Sequence, residues 1–307
     1  MTLTLGAVLW AKTAKAFGSR AAALEERGFG SVSVGDHLGH FPPLPACAAI
    51  AQATEQARVG PLVLNNDFRH PSVLAREAAA LADLFEGRFE LGLGAGYARH
   101  EYRRAGIPYH PGMVRIARLG EAAEILGRLL KGERVTFEGD HYRVQDDSLP
   151  ALTHDVPLLI GGNHPAVHAI ARRTADMLNL IGLSSVKGGS EEDLSDFSAT
   201  ALDRQVQVLA ATERGLDRPL ELHALVQWHE LTEDRFTAAR RAAAAMHIEP
   251  DLVLDSPYVL IGTADEIAAQ LQRDHRRFGL TRWTIFADRP DLQPAEALAP
   301  VIALLRG

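Results

Sequence analysis

Residues 71–96, PSVLAREAAALADLFEGRFELGLGAG, contain one helix followed by one strand. Pro71 stands at the first turn of an apolar-periodic helix, and the run RFELGLGAG after Gly87 is typical of a strand buried on both faces. The glycines do not complete the G-x-G-x-x-G fingerprint, because Tyr97 and Arg99 stand where its third glycine belongs. The stretch therefore favours a parallel α/β fold without a Rossmann dinucleotide site.

The same alternation continues along the chain. Eight apolar strands are predicted, at 3–9, 31–37, 57–66, 88–96, 156–162, 176–183, 219–229 and 281–287. Helices separate these strands, as in a parallel sheet covered on its faces, and the count of eight predicts a (β/α)8 TIM barrel with insertions. An open doubly wound sheet is the alternative, weakened by the missing phosphate fingerprint near the N-terminus.

We expect a single barrel domain over residues 1–307, since α/β barrels commonly form one domain of this size. A hairpin is predicted as an insertion near 133–145, where the pattern alternates around Glu138-Gly139-Asp140. A segment rich in Gly, Ser and acidic residues predicts a mobile excursion near 183–198.

Composition excludes several classes of function. The formal net charge of -7 argues against a nucleic-acid partner. The apolar N-terminus is too short for a membrane span or a typical signal peptide, so we expect no membrane partner and a cytoplasmic location. The single cysteine, Cys47, permits no internal disulfide and is interpreted as a small core residue.

Candidate site residues follow from the barrel itself, because its sites lie at the carboxyl ends of the strands. Asp36 and His37 end the second strand, and an imidazole exchanges protons near neutral pH, which suits proton transfer coupled to redox chemistry. Gly161, Gly162 and Asn163 precede a helix whose first amides face this end. Phosphate binding and an ordinary capped turn explain those three residues equally well.

Other chemistries lack their motifs. His164 and His168 are four residues apart, but no acidic or cysteine partner stands at ligand spacing, and HExxH is absent from the sequence. No G-x-S-x-G segment is present for a serine nucleophile.

Four stretches together resemble the luciferase-like monooxygenase superfamily, and more closely its coenzyme F420-dependent oxidoreductase branch. They are GDHLG at 35–39, the run at 62–109 that includes RHP, GRFELGLGAG and EY, RIARLGEAAEILGRLL at 115–130, and PLLIGGNHPAVHAIARRTADMLNL at 157–180. The resemblance covers residues 1 to 182 well and the last third only generally.

The resemblance implies a luciferase-like (β/α)8 barrel that transfers a hydride between C5 of F420 and a small organic substrate. It implies His37 as the catalytic acid or base and a non-prolyl cis peptide around Leu62 and Val63. The cofactor-binding positions it implies are Asp36, Val63, Asn65, Tyr97, His100, Gly161, Gly162 and Asn163. It also implies a homodimer.

One departure concerns the substrate. The sugar-phosphate dehydrogenases of this branch carry a catalytic glutamate where this chain has Tyr97, which argues against a sugar phosphate. Two other functions stay open: an FMN-dependent monooxygenase that uses oxygen and flavin reduced by a separate cofactor reductase, and a cofactor-binding barrel without catalysis.

Overall fold

The computed structural model describes residues 3–186 and 191–306, and residues 187–190 of the predicted excursion lie outside these ranges. The strands are β1 (Thr4–Leu9), β2 (Ser31–Val34), β3 (Arg58–Pro61), β4 (Leu64–Asn65), β5 (Leu91–Gly94), β6 (Val135–Glu138), β7 (Arg143–Asp147), β8 (Leu158–Gly161), β9 (Met177–Leu180), β10 (Ser184–Val186), β11 (Glu191–Asp193), β12 (Glu221–Leu225), β13 (Trp228–Leu231), β14 (Val259–Gly262) and β15 (Leu280–Phe286). The α-helices are α1 (Ala14–Glu26), α2 (Pro43–Ala53), α3 (Pro71–Leu84), α4 (Arg99–Ala105), α5 (Gly112–Leu129), α6 (Pro165–Thr174), α7 (Ala199–Ala211), α8 (Arg235–Met246), α9 (Pro250–Asp255), α10 (Ala264–Phe278) and α11 (Ala299–Arg306).

The main sheet closes on its own third strand. Its order is β3-β2-β1-β15-β12-β9-β8-β5-β4, and β3 and β4 are the two halves of the predicted third strand. The gap between β3 and the segment before β5 is bridged by hydrogen bonds from Val59 N to Arg88 O and from Glu90 N to Val59 O, both 2.9 Å. The predicted eight-stranded TIM barrel is therefore confirmed.

The helices lie outside the barrel with one apolar side turned inward. Helix α10 shows how: its N-terminus is fixed by a capping box between Thr263 and Glu266, and Ile267, Leu271 and Phe278 are buried. Within residues 3–186 and 191–306, no helix combines the length and apolarity needed to cross a membrane.

Three strand pairs stand apart from the barrel. The pairs β6–β7 and β10–β11 are antiparallel, whereas β13 and β14 are parallel. The prediction of one continuous strand over 219–229 was wrong, because the chain leaves the barrel after β12 and Gln227 donates its main-chain N–H to Tyr258 O at 2.8 Å. The apolar run gave no sign of this break.

A buried ion cluster lies at the amino-terminal end of the barrel. Glu90 accepts hydrogen bonds from Arg282 at 2.6 and 3.0 Å and pairs with Arg58. Burial alone would raise the pKa of Glu90, but the two guanidinium groups outweigh it and hold that pKa at about 2. The candidate site lies at the opposite end of the strands.

Candidate active site

The carboxyl ends of four neighbouring strands place candidate residues side by side. Asn65 at the end of β4 pairs with Gly94 of β5, Gly94 with Gly161 of β8, and Gly161 with Asn179 of β9. Asp36 and His37 follow β2 at the same end, so both predicted halves of the site face one barrel mouth.

Val63 forms the floor of this mouth. The peptide bond between Leu62 and Val63 is cis, which confirms the bond expected there. A Cβ atom on Gly94 would lie 2.8 Å from Val63 Cγ2, and one on Gly161 would lie 3.1 Å from Val63 Cγ1. These two glycines therefore make room for the Val63 side chain, a role that the sequence did not predict.

His37 is held between two groups on its two ring nitrogens. Its Nδ1 lies 2.6 Å from Oε1 of Glu101, and its Nε2 lies 3.5 Å from the Tyr97 hydroxyl. The His37 side chain is 30% exposed, whereas that of Glu101 is 4% exposed, so the carboxylate is behind the imidazole and the solvent lies in front.

Aromatic rings surround the imidazole. The ring centroids of Trp10 and Tyr97 lie 5.6 and 5.8 Å from that of His37, and His40 packs against Trp10 at 4.9 Å. Tyr97 is 43% exposed and stands edge-on to His37. A planar ligand entering the mouth would meet these rings beside Nε2 of His37.

Asp36 is turned away from the imidazole and braces the third strand. Its Oδ2 accepts hydrogen bonds from Asn65 N at 3.1 Å and from Arg69 Nη1 at 2.7 Å. Because Asp36 is 8% exposed, these bonds replace water around a buried charge. The residue therefore fixes where the β4 segment ends.

Asn65 lies beside helix α4. The Tyr102 hydroxyl, which has one proton to donate, lies 3.0 Å from both Asn65 Oδ1 and Asp67 Oδ2, and Asn65 Oδ1 also accepts a hydrogen bond from Asp67 N at 3.1 Å. Burial and the neighbouring Asp67 carboxylate raise the pKa of Tyr102, so this hydroxyl keeps its proton and donates. Tyr102 thereby locks helix α4, which carries Glu101, against the third strand.

The remaining predicted residues differ in their surroundings. Asn163 is 7% exposed, accepts a hydrogen bond from Ile181 N at 3.0 Å and donates one to Leu183 O at 3.1 Å, which ties the loop after β8 to the end of β9. Gly162 has φ of 143°, a conformation that favours glycine. The His100 side chain is 61% exposed and 3.8 Å from Glu101.

His168 of α6 supports the same loop from behind. Its Nε2 lies 3.1 Å from the carbonyl of Gly162. Burial lowers the pKa of His168 to about 4, so the neutral ring donates through Nε2–H at neutral pH. Within the described ranges, no group of three or more His, Cys, Asp or Glu side chains could hold a metal ion.

Sequence reasoning missed two residues of this site, Arg69 and Glu101, and left Trp10 open between core packing and lining an aromatic pocket. Glu101 stood in the sequence as the first residue of the EY pair of the resemblance, and no role was assigned to it. Its signal was indirect, because a proton-transferring histidine is commonly oriented by a carboxylate on its second nitrogen.

The family model for luciferase-like monooxygenases matches residues 5–282. The chain belongs to this family. Within it, the F420-dependent glucose-6-phosphate dehydrogenase of Nakamurella multipartita is 31% identical over 283 residues, which cover 88% of this chain and 78% of that protein.

Two solved structures have the same luciferase-like fold. An F420-dependent secondary alcohol dehydrogenase in complex with an F420-acetone adduct aligns with a TM-score of 0.75 and 19% identity, covering 98% of this chain and 97% of that one. The oxygenating constituent of 3,6-diketocamphane monooxygenase from Pseudomonas putida, in complex with FMN, aligns with a TM-score of 0.69 and 16% identity, covering 100% and 98%. At these identities the two structures establish the fold alone.

Proposed function

We propose that this luciferase-like chain is an F420-dependent oxidoreductase that transfers a hydride between deazaflavin C5 and a small organic substrate. The observation that carries the proposal is the position of His37, half-shielded at the mouth between Glu101 and Tyr97. The 31% identity to an F420-dependent dehydrogenase supports the choice of cofactor.

The residues at the mouth support binding of a planar tricyclic group. Val63, Gly94 and Gly161 give it a floor without protruding polar side chains, and the His37 and Tyr97 rings follow strands β2 and β5 at the same end of the barrel. Asp36 and Asn65 would hold the third-strand part of this floor in place through the bonds to Arg69 and Tyr102. We assign ring binding to this floor.

The loop of Gly162 and Asn163 would hold the anionic part of the cofactor. Helix α6 begins at Pro165, which has no N–H, and His164 Nδ1 already accepts a hydrogen bond from Ala166 N at 3.1 Å, so the support for an anion here is the positive end of the helix dipole. Asn163 would contribute by holding this loop against the end of β9 through its hydrogen bond with Ile181. The exposed His100 would contact the cofactor only at the outer edge of the mouth.

The chemistry divides between cofactor and protein. Bound F420 would supply the hydride acceptor or donor at C5. His37 would take the proton from the substrate in the oxidative direction and return it in the reductive one.

We propose a substrate other than a sugar phosphate. Tyr97 stands where the sugar-phosphate dehydrogenases of this branch carry a glutamate. Its exposed side chain therefore offers the substrate a hydroxyl group instead of a carboxylate. Glucose 6-phosphate is therefore expected to turn over more slowly than a simple secondary alcohol.

An FMN-dependent monooxygenase is the second candidate, because the same fold holds FMN in a solved relative. The single-domain organisation, the homodimer, the cytoplasmic location and, for this alternative, the separate reductase remain predictions. Mass measurement by light scattering tests the dimer.

Turnover tests the proposed function. The protein is mixed with F420 and a panel of secondary alcohols and aldehydes, and the cofactor absorbance between roughly 400 and 450 nm is followed. The proposal expects a substrate-dependent change that His37→Ala abolishes or slows by about 100-fold or more. Turnover that is unchanged in His37→Ala would refute the role of the histidine.

A further inference from the structure

Within residues 3–186 and 191–306, Glu101 is the one group that forms a hydrogen bond with Nδ1 of His37. The 2.6 Å contact is short, and both the residue and its side chain are almost fully buried. Glu101 comes from the first turn of α4, whose position Tyr102 fixes against Asn65. The helix that carries the carboxylate is therefore held against the third strand.

This contact determines which ring nitrogen carries the proton. An ionised carboxylate accepts hydrogen bonds and does not donate them, so Nδ1 of the neutral imidazole donates to Glu101. The lone pair then lies on Nε2. Nε2 is the nitrogen that faces the Tyr97 hydroxyl, on the exposed side of the ring.

We propose that Glu101 is a positioning residue that fixes the Nδ1–H tautomer of His37 and so makes Nε2 the proton-transferring atom. In alcohol oxidation the substrate O–H bond breaks and its proton binds Nε2. At the same time the carbon-bound hydrogen leaves with its electron pair to the cofactor and the C=O bond forms. Reduction runs the same transfers backwards.

The arrangement also gives His37 a carboxylate partner, although Tyr97 stands where the sugar-phosphate dehydrogenases of this branch carry a glutamate. Tyr97 stands on the Nε2 side of the imidazole, whereas Glu101 acts from the Nδ1 side, four residues further along the chain. A negative charge is therefore kept behind the ring, where it supports the imidazolium formed during oxidation, and the front is left to a neutral phenol.

The groups facing the imidazole come from four elements. Glu101 and the more distant His100 lie on α4, Tyr97 precedes that helix, Trp10 follows β1, and His40 follows β2. Of these groups, the Glu101 carboxylate is the one that carries a full negative charge. Its removal should therefore allow the His37 ring to carry its proton on Nε2 as well as on Nδ1.

The tautomer part of this proposal does not depend on turnover, while the catalytic part rests on the proposed function. The first measurement is therefore ¹⁵N NMR of protein labelled at histidine, with His37→Asn used to assign the His37 signals and a pH series continued until the spectrum is constant. The expected wild-type spectrum is that of a ring protonated at Nδ1 and free at Nε2.

The variants are Glu101→Gln, which removes the charge at constant volume, and Glu124→Gln, an exposed site on α5 that serves as the matched control. Glu101→Gln should populate the Nε2–H form, and the control should leave the wild-type spectrum. A wild-type His37 ring protonated at Nε2 would overturn the proposal. The wild-type spectrum alone therefore tests the proposal even if Glu101→Gln folds poorly.

Kinetics with F420 and 2-propanol, or the best substrate of the panel, test the catalytic part. Glu101→Gln should lower kcat about 10- to 100-fold with little change in KM or F420 affinity, and combining it with His37→Ala should add nothing further. Losses that multiply in the double variant would contradict action through His37. Absence of turnover in the wild type would count against the proposed function and leave the NMR result to stand by itself.

Discussion

The side chain of Val63 occupies the space that a side chain on Gly94 would need. A Cβ atom there would lie 2.8 Å from Val63 Cγ2, closer than such contacts occur in folded proteins. Gly94 ends β5 and Val63 precedes β4, so this contact lies between two strands that pair with each other at the mouth. The shape of the proposed cofactor floor depends on it.

Gly94→Ala should therefore push Val63 into the mouth. We expect overpacking to cost about 1–3 kcal/mol of unfolding free energy and to weaken F420 binding by 10-fold or more. Denaturant unfolding and fluorescence titration measure the two effects. Gly94→Ala combined with Val63→Ala should recover much of the lost stability, whereas Gly127→Ala on α5, where a Cβ atom finds ordinary contact, should lose neither property.

Asp36→Asn should weaken the hydrogen bonds that hold the third strand at the site. The amide cannot neutralise Arg69, whose side chain is 23% exposed and so partly able to reach water. We expect a loss of about 2 kcal/mol in unfolding free energy and weaker F420 binding, since Asn65 N also loses its charged acceptor. Unchanged stability and affinity would show that Asp36 does not brace the third strand.

Glu90→Gln tests the ion cluster at the other end of the barrel. It leaves Arg282, whose side chain is 13% exposed, without its charged partner, and should cost about 3–5 kcal/mol while leaving cofactor binding in the surviving folded fraction intact. Chemical unfolding measures the loss of stability, and F420 titration of the same preparation measures cofactor binding.

The pH dependence of this variant has a defined sign. The pKa of Glu90 in the folded protein, about 2, lies below the ordinary value near ~4.3, so its contribution is complete above that ordinary value and is lost as the pH falls towards 2. Stability of the wild type should therefore fall more steeply than that of Glu90→Gln between pH ~4.3 and ~2. Parallel curves would mean that Glu90 titrates normally in the fold.

Periodicity alone predicted the barrel, because each buried strand of a parallel sheet leaves an apolar run of its own. It failed at 219–229, where β12 and β13 form one apolar run although they belong to different sheets. Nothing in an apolar run records which sheet each half joins.

The site was predictable where chemistry and strand ends coincide. His37 stands close after a strand and was predicted in this way, and the resemblance located the cis bond at Leu62–Val63. Glu101 and Arg69 were missed because their roles come from a helix and a loop that fold back onto the mouth, and the distances involved are not properties of local sequence.

The most direct test of the central claim is the choice of cofactor. Purified protein is titrated separately with F420 and with FMN, and binding is followed by fluorescence. The account predicts F420 binding with Kd on the order of micromolar or tighter, weaker FMN binding, and loss of F420 affinity in Gly94→Ala. Micromolar FMN binding with no F420 binding would contradict it.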